Sequence, residues 1–449
     1  MTDYGPKSTR NGAVQSASSE DQSPAFLSRH RTFFLVTCVL AVGWSGYSYW
    51  SIESGLIRSR QAAGRGHWRK TQDHLDRYLS WHPDDAEARL LIAEALVRDD
   101  TRSGPDAVNR AIEHLVQIED DSPLAAKARL QLARLSLLIL QRPAAAERFL
   151  GESLDLDPDS PDANILMWKL MDVTGRHVIS RQYFWRAYEA SLPSSRPPLL
   201  RDWFLAEFYP ETANAGFHNA MGAKATGNIP ASISLLVRLR ENEPEAHFLH
   251  AALAAYYLER GQPKSSLELL KESPDLAQAM KDPFFVSVLF ESLSDLGESE
   301  KAQACFEKFP RPHSNYLYWR SKAMFHHYVT EDAVAAVHAY EEALTQWPAK
   351  FDWGLMTKLS ECLRKIGRSD DAGKLQERVK QMTTTVLTTE KASQLRKKLR
   401  DLNDPTVAGE LSEVYTEFGL FREARAWGEH QQKLLTSGPS LLPSATLAK

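Results

Sequence analysis

The sequence predicts an all-α protein, built as a solenoid of stacked helix pairs, on three observations. Proline recurs at the ends of apolar-periodic segments, and most of the gaps are about 30 to 40 residues. Glycine falls between such segments, where it can supply the left-handed conformation that ends a helix. No alternating apolar and polar pattern of useful strand length is present. The prolines are Pro83, Pro123, Pro158, Pro193, Pro244, Pro274, Pro310 and Pro348, and the glycines are Gly175, Gly227, Gly261, Gly297, Gly367 and Gly419.

A repeat of this period indicates how the core is built. One helix pair cannot bury its apolar face alone, so neighbouring pairs share it and the core is continuous along the stack. The length of 449 residues therefore does not require several globular domains. The core shared between neighbours also predicts nearest-neighbour stability, in which a break in mid-stack lets the two halves of the stack melt separately.

Composition narrows the class of partner. Lys+Arg 54 stand against Asp+Glu 58, for a formal net charge of −4. Helical repeats that bind nucleic acid need a positive face to contact phosphate. Because this chain has nearly balanced charges, we expect no nucleic-acid partner.

The cysteines indicate no metal or disulfide chemistry. Cys38, Cys305 and Cys362 form no CxxC and no zinc-ligand spacing, which predicts neither a metal site nor a disulfide framework.

The N-terminal region contains one candidate membrane anchor. Residues 1–31 are rich in polar residues without an apolar period, which predicts a disordered tail. The uncharged run 32–52 is long enough to cross a hydrocarbon core of about 30 Å as a helix. Arg29, His30 and Arg31 precede it, and Trp44, Tyr47, Tyr49 and Trp50 crowd its other end, as an interfacial aromatic belt would. We therefore expect a single transmembrane helix at 32–52.

Three alternatives compete with the anchor. Ala41-Val42-Gly43 could be the cleavage site of a signal peptide, although the 31 preceding residues are a long n-region. Leu35 to Cys38 loosely resembles a lipoprotein box, and the run could also be a buried first helix of the solenoid.

The orientation of the predicted anchor in the membrane is also open. Arg29 and Arg31 favour a cytoplasmic tail, whereas a plain count of the basic residues that follow favours the reverse. We expect an extracytoplasmic repeat domain, because long domains translocate largely regardless of charge.

The repeated segments resemble the tetratricopeptide repeat family, whose unit is about 34 residues of helix, turn and helix. The segment from Pro161 matches with Met167, Trp168, Met171, Gly175, Phe184 and Ala187, and that from Ala213 matches with Ala220, Ala223, Gly227, Leu236 and Pro244. Further copies carry Leu253, Ala254, Tyr257 and Gly261; Leu289, Leu293 and Gly297; Trp319, Ala323, Ala336, Tyr340 and Pro348; Leu359, Leu363 and Gly367; Leu411, Tyr415 and Gly419. The resemblance implies a right-handed solenoid over 53–435 with about eight to ten helix pairs, in a membrane-anchored bacterial-type protein.

Two segments depart from the repeat. Residues 198–212 are inserted between units and are expected to kink the stack, and 384–403 form a longer helical connection before the last unit. The copy at 315–348 has one extra residue in its turn. Residues 436–449 look like a flexible tail.

Sequence motifs of catalysis are absent. There is no phosphate-binding glycine loop, HExxH or GxSxG, so we expect a non-enzyme without cofactor, metal or small-molecule substrate. His326-His327 is the nearest approach to a ligand cluster, but adjacent helical positions point about 100° apart. Among the tryptophans, Trp168 and Trp319 fall on core positions, whereas Trp203 and Trp353 are freer to stack on a ligand.

The resemblance also implies a binding surface, because the first helix of each pair lines the concave groove in this family. It assigns to that groove Phe217, Met221, Lys224, Arg320, Met324, His327, Thr357, Glu361 and Arg364. Arg and Met are plausible anchors for a protein or peptide partner, and neither Arg320 nor Met324 is assigned to the core.

The function expected is a non-catalytic, membrane-anchored scaffold that binds a peptide or helix. The alternative is an accessory subunit of a cell-envelope glycan-processing or assembly complex, with a carbohydrate-contacting surface near Trp203. A hydrolase that depends on His327 is a third possibility.

Overall fold

The computed structural model describes residues 53–99, 104–209, 218, 221–222, 224–225, 230–387 and 389–437, with the side chains of 385–393 excluded. The predicted tail 1–31 and anchor 32–52 lie outside these residues. Within the described part, no helix is both long and apolar enough to cross a membrane. The chain divides into two compact units, 1–107 and 108–449.

The described part of the first unit contains α1 (53–64), α2 (Trp68–Leu79) and α3 (Ala86–Arg98). The side chain of Asp85 caps the N-terminus of α3, because it accepts a hydrogen bond from the Ala88 N–H at 2.9 Å. Its other oxygen accepts a hydrogen bond from the Tyr78 hydroxyl of α2 at 2.8 Å. Leu75 and Ile92 are fully buried, so α2 and α3 pair through an apolar face and a shared cap.

Helix α4 (Pro105–Val116) leads into the second unit, whose regular elements are all helical over the residues described. They are α5 (Ala125–Arg134), α6 (Pro143–Leu156), α7 (Pro161–Val173), α8 (His177–Ala190), α9 (Arg196–Phe208), α10 (Ala231–Asn242), α11 (His247–Glu259), α12 (Pro263–Lys271), α13 (Leu276–Ala279), α14 (Pro283–Asp295), α15 (Ser299–Phe306), α16 (Tyr316–Met324), α17 (Ala333–Leu344), α18 (Trp353–Lys365), α19 (Ser369–Leu387), α20 (Thr389–Lys398), α21 (Pro405–Glu417) and α22 (Phe421–Ser437).

Consecutive helices of this unit pack as pairs: α5 with α6, α7 with α8, α11 with α12, α14 with α15, α16 with α17, α18 with α19, and α21 with α22. Five of the six predicted turn glycines have a positive φ, from 68° to 83°, as the left-handed cap requires: Gly175, Gly261, Gly297, Gly367 and Gly419. The sixth, Gly227, lies outside the described residues, as does most of the predicted first helix of the unit from Ala213.

Two of the first helices end in a turn of π-helix instead of a glycine cap. Leu135–Ile139 extends α5, and Phe325–Val329 extends α16. Each is followed by a non-glycine residue with positive φ, Gln141 at 55° and Glu331 at 53°. A π-turn absorbs one additional residue, which explains the extra residue that the sequence places in the 315–348 copy.

Residues 198–208 of the inserted segment lie in α9, which is in the core of the second unit. Its residues Leu200, Trp203 and Phe204 are almost fully buried, and α9 contacts α8 on one side and the C-terminal helix α22 on the other. Trp203 stacks on Phe184 of α8, with ring centroids 4.4 Å apart, and Phe204 meets Tyr415 of α21 edge to face. The last helix pair thus packs back onto α8 and α9.

This contact corrects the expectation of a purely linear stack. A linear array joins each repeat only to its neighbours, whereas the apolar cluster here includes Trp168, Trp203, Leu411 and Trp427. The physical reason is the aromatic face of α9, which α21 and α22 cover. The two ends of the array from α7 to α22 therefore share one core.

Candidate functional site

Two adjoining cavities lie in the second unit. The Arg320 cavity has a volume of about 390 Å³ and is lined by the α7–α8 turn, α11, α14 and α16. The Trp347 cavity has a volume of about 650 Å³ and is lined by α9, α11 and the segment 347–353. Glu259, Phe284 and Asp352 line both, so the two cavities form one recess.

The α7–α8 turn approaches α14 closely at this recess. Gly175 has φ +74°, and a Cβ atom on it would lie 3.2 Å from Cζ of Phe284. Any side chain there would be strained by the backbone and would press on the Phe284 ring. Glycine thus allows the turn to sit against the aromatic wall of the cavity.

Arg320 forms a bidentate ion pair inside the recess. Its Nη1 and Nη2 donate to Oε2 and Oε1 of Glu291 at 2.8 and 2.9 Å. Lys358 Nζ lies 3.8 Å from Oε1 of Glu291. Burial by itself would raise the pKa of Glu291, but the charges of Arg320 and Lys358 and the Arg320 hydrogen bonds lower it overall. Glu291 is therefore ionised and neutralises Arg320.

Asp352 lines both cavities and is the N-cap residue of α18. Its Oδ1 accepts the Leu355 N–H at 2.9 Å, which caps the helix, and its Oδ2 accepts the hydroxyl of Tyr316. Burial and the Asp352 charge raise the pKa of Tyr316, so the phenol stays protonated and donates. Both donors to Asp352 are neutral, and its negative charge is not cancelled by them.

Glu207 of α9 lies at the far side of the Trp347 cavity. It accepts the Tyr415 hydroxyl at 2.6 Å and the Trp347 indole N–H at 3.3 Å, again from neutral donors. Burial, followed by the nearby Glu423 charge, raises the pKa of Glu207 well above its usual range, against the opposing effect of Arg181. Glu207 is thus a carboxyl group that lacks the cation needed to hold it ionised.

Two further carboxylates line the recess. Asp172 pairs with His177, whose Nδ1 lies 3.0 Å from Oδ1 of the aspartate. Glu259 ends α11, and burial raises its pKa while His177 opposes that effect. Negative groups therefore outnumber positive ones in this recess.

Of the nine predicted groove residues, Arg320 lies in the recess, and three others, Met324, Met221 and His327, are corrected because they are buried. Met324 is 1% exposed and packs in the apolar cluster with Ala323, Leu355 and Leu359. Met221 is 2% exposed and packs near Leu235 and Leu236. Methionine is flexible and apolar, so both side chains fill gaps between helices instead of facing the cavity.

His327 is also buried, because the π-turn directs its ring at α17. Its Nδ1 lies 3.3 Å from the Tyr340 hydroxyl. Burial lowers its pKa to about 4, with Lys365 and Lys358 acting in the same direction, so the imidazole is neutral at pH 7. His326 instead meets Thr330, so the two rings diverge as their sequence spacing predicts.

The remaining predicted residues lie away from the recess or outside the described chain. Phe217 is not among the described residues, and Lys224 is exposed. Thr357, Glu361 and Arg364 are exposed on α18 but line neither cavity. The sequence thus identified the first helices but missed the α7–α8 turn, Glu259, Glu291 and Asp352.

The two tryptophans singled out from the sequence differ in exposure. Trp353 is 37% exposed and lines the Trp347 cavity. Trp203 is 1% exposed, and Phe184 covers one face of its ring. A sugar platform needs an open ring face, so the expectation of a carbohydrate contact at Trp203 is wrong. Over the described residues, no group of three or more His, Cys, Asp or Glu could hold a metal ion.

Comparison with known proteins gives distant similarities to solved structures. A human IFIT1 dimer with m7Gppp-AAAA is 14% identical, with 84% of this chain and 80% of that chain covered and a TM-score of 0.29. The APC/C hetero-tetramer Cut9-Hcn1 is 13% identical, with 86% and 76% covered and a TM-score of 0.33. These values are too low to transfer a function. No protein-family model matches the chain, and no curated protein matches it.

Proposed function

We propose that this chain is a non-catalytic, tetratricopeptide-like scaffold that binds an extended segment of a partner protein in the recess formed by the Arg320 and Trp347 cavities. The observation that carries the proposal is the lining, which comes from several successive helix pairs. A site spread over the α7–α8 turn, α11, α14 and α16 suits an extended peptide, which can use alternate side chains in successive pockets.

Membrane attachment is part of this proposal. The uncharged run 32–52, with basic residues before it and aromatic residues at its end, supports a single-pass anchor. The anchor would hold the recess near a membrane surface, with an extracytoplasmic repeat domain, and the partner would be captured there.

The recess can be tested by photo-crosslinking in the full-length protein. Benzoylphenylalanine would replace Ile179, which is 38% exposed in the Arg320 cavity, or Tyr256, which lines the Trp347 cavity. The control position is Leu276, which is 50% exposed and lines neither cavity. The proposal expects one common protein adduct from Ile179 and Tyr256 and none of that adduct from Leu276. The same adduct from Leu276 alone, or no adduct from either recess position, would refute it.

A further inference from the structure

The Trp347 cavity is acidic and aromatic. Four carboxyl groups line it, those of Asp172, Glu207, Glu259 and Asp352. Among the described residues that line it, none is lysine or arginine, and its only basic groups are the imidazoles of His177 and His218. An anionic ligand such as a phosphate or an acidic peptide would meet like charge there.

The partners of Asp352 leave negative charge in the cavity, whereas the raised pKa of Glu207 favours its neutral form. Asp352 accepts hydrogen bonds from a phenol and a backbone N–H, and Glu207 from a phenol and an indole. None of these donors carries a positive charge. Arg181 lies over the Trp347 ring at 5.4 Å, but its guanidinium is paired with Glu423. Arg181 and Arg320, whose charges act on Glu207 and Asp352, are each paired with another carboxylate and do not line this cavity.

The aromatic side chains that line the Trp347 cavity also favour a cation. Tyr256, Phe284 and Trp353 are partly exposed and line the cavity together with Trp347 and Phe351. The face of an aromatic ring attracts a cation within about 6 Å, and the effect is larger where water is excluded. Aromatic faces combined with carboxylates match an alkylammonium or guanidinium group on an apolar stem.

We propose that the Trp347 cavity binds a lysine or arginine side chain of the partner segment, with the adjoining Arg320 cavity holding its apolar neighbours. The inference rests on the proposed function, because the recess must first be the partner site. Charge complementarity and the 650 Å³ volume favour this occupant. Glu259 and Asp352 would supply the charge, and Trp353 a ring face.

The test uses blocked dodecapeptides of Gly and Ser with a central Leu-Xaa-Leu and the detergent-solubilised full-length protein. Isothermal titration calorimetry would compare Xaa as lysine, arginine, norleucine and glutamate. We expect the lysine and arginine peptides to bind at least tenfold more tightly than norleucine, which has a similar apolar stem without the charge. The glutamate peptide should bind most weakly. Equal binding of lysine and norleucine, or tighter binding of glutamate, would overturn the inference.

A matched pair of variants assigns the effect to the cavity. Glu259→Gln removes one lining charge, whereas Glu268→Gln changes an exposed carboxylate of α12 that does not line the cavity. The lysine-over-norleucine preference should fall at least threefold in Glu259→Gln and stay unchanged in Glu268→Gln. An unchanged preference in Glu259→Gln would contradict the assignment. If recess crosslinking succeeds while the peptides show no charge preference, the partner site stands and the cationic occupant fails.

Discussion

The guanidinium of Arg181 on α8 donates to the carboxylate of Glu423 on α22 at 2.8 Å, although 242 residues separate them in the chain. Glu423 is 0% exposed, and the Arg181 side chain is 25% exposed. Around this pair lie Glu207, Tyr415 and Trp347, which form the polar part of the contact between the last helix pair and α8–α9. This contact closes the repeat array.

Breaking this pair should destabilise the second unit. Glu423→Ala leaves the mostly buried Arg181 without its carboxylate, and the loss of one partner of a buried pair costs about 3 kcal/mol. Glu189→Ala is the control, because its pair with Arg422 is exposed at both side chains and such pairs contribute about 1 kcal/mol or less. Urea unfolding measures both. A Glu423→Ala loss no larger than that of Glu189→Ala would contradict the role given to the closure.

Removal of the α9 aromatic anchor should destabilise helices that are distant in sequence. Trp203→Ala leaves a cavity between α8, α9 and the α21–α22 pair, at a cost of about 3 to 5 kcal/mol. Trp353→Ala, at a 37% exposed position, should cost far less. Hydrogen exchange should show weaker protection in both α8 and α21 for Trp203→Ala. A change confined to α8 and α9 would favour the linear stack.

Arg320 should be more important for stability than the sequence indicates. Arg320→Ala leaves the carboxylate of Glu291 largely buried, and we expect a loss of about 3 kcal/mol in urea unfolding. The double variant Arg320→Ala, Glu291→Ala should recover part of that loss, because no unpaired charge remains. Additive losses in the double variant would show that the pair is not coupled.

Glu207 should make stability depend on pH. Its pKa is raised by folding, so its contribution is fully present below the ordinary glutamate pKa and is lost as pH rises through the raised value. The groups that face it are Glu423, Arg181, Tyr415 and Trp347. Glu207→Gln lacks this titration, so its stability relative to wild type should improve from pH 4 to pH 8. A constant difference across that range would mean that Glu207 is not held protonated.

The anchor proposal predicts carbonate-resistant membrane attachment. The full-length chain should stay in the membrane fraction at high pH, because a transmembrane helix is not released by loss of surface charge. A chain that starts at Glu53 should be soluble. Release of the uncleaved full-length chain by carbonate would contradict the anchor.

Local features of the fold were predictable from sequence, whereas the contact of α21 and α22 with α8 and α9 was not. Gly175 and Gly297 end their helices as expected, because a left-handed cap depends on adjacent residues only. The contact of Arg181 with Glu423 depends on how the twist of many pairs accumulates, which no local pattern encodes. At the site, Arg320 was found from its repeat position. Met324 was wrongly assigned to the groove, because its burial depends on packing against Leu355 and Leu359 of the next helix pair.

The central claim is that the recess is the partner site, and filling it tests this most directly. Ala255 is half-buried on α11 and lines both cavities, so Ala255→Trp would occupy the recess without removing a core side chain. Val334→Trp, at a 67% exposed position outside both cavities, is the matched control. The measurement is the affinity of each full-length variant for the protein crosslinked from Ile179, with melting recorded alongside. We predict at least tenfold weaker binding for Ala255→Trp and wild-type binding for Val334→Trp, both with melting near wild type. Wild-type affinity in a folded Ala255→Trp would contradict the account.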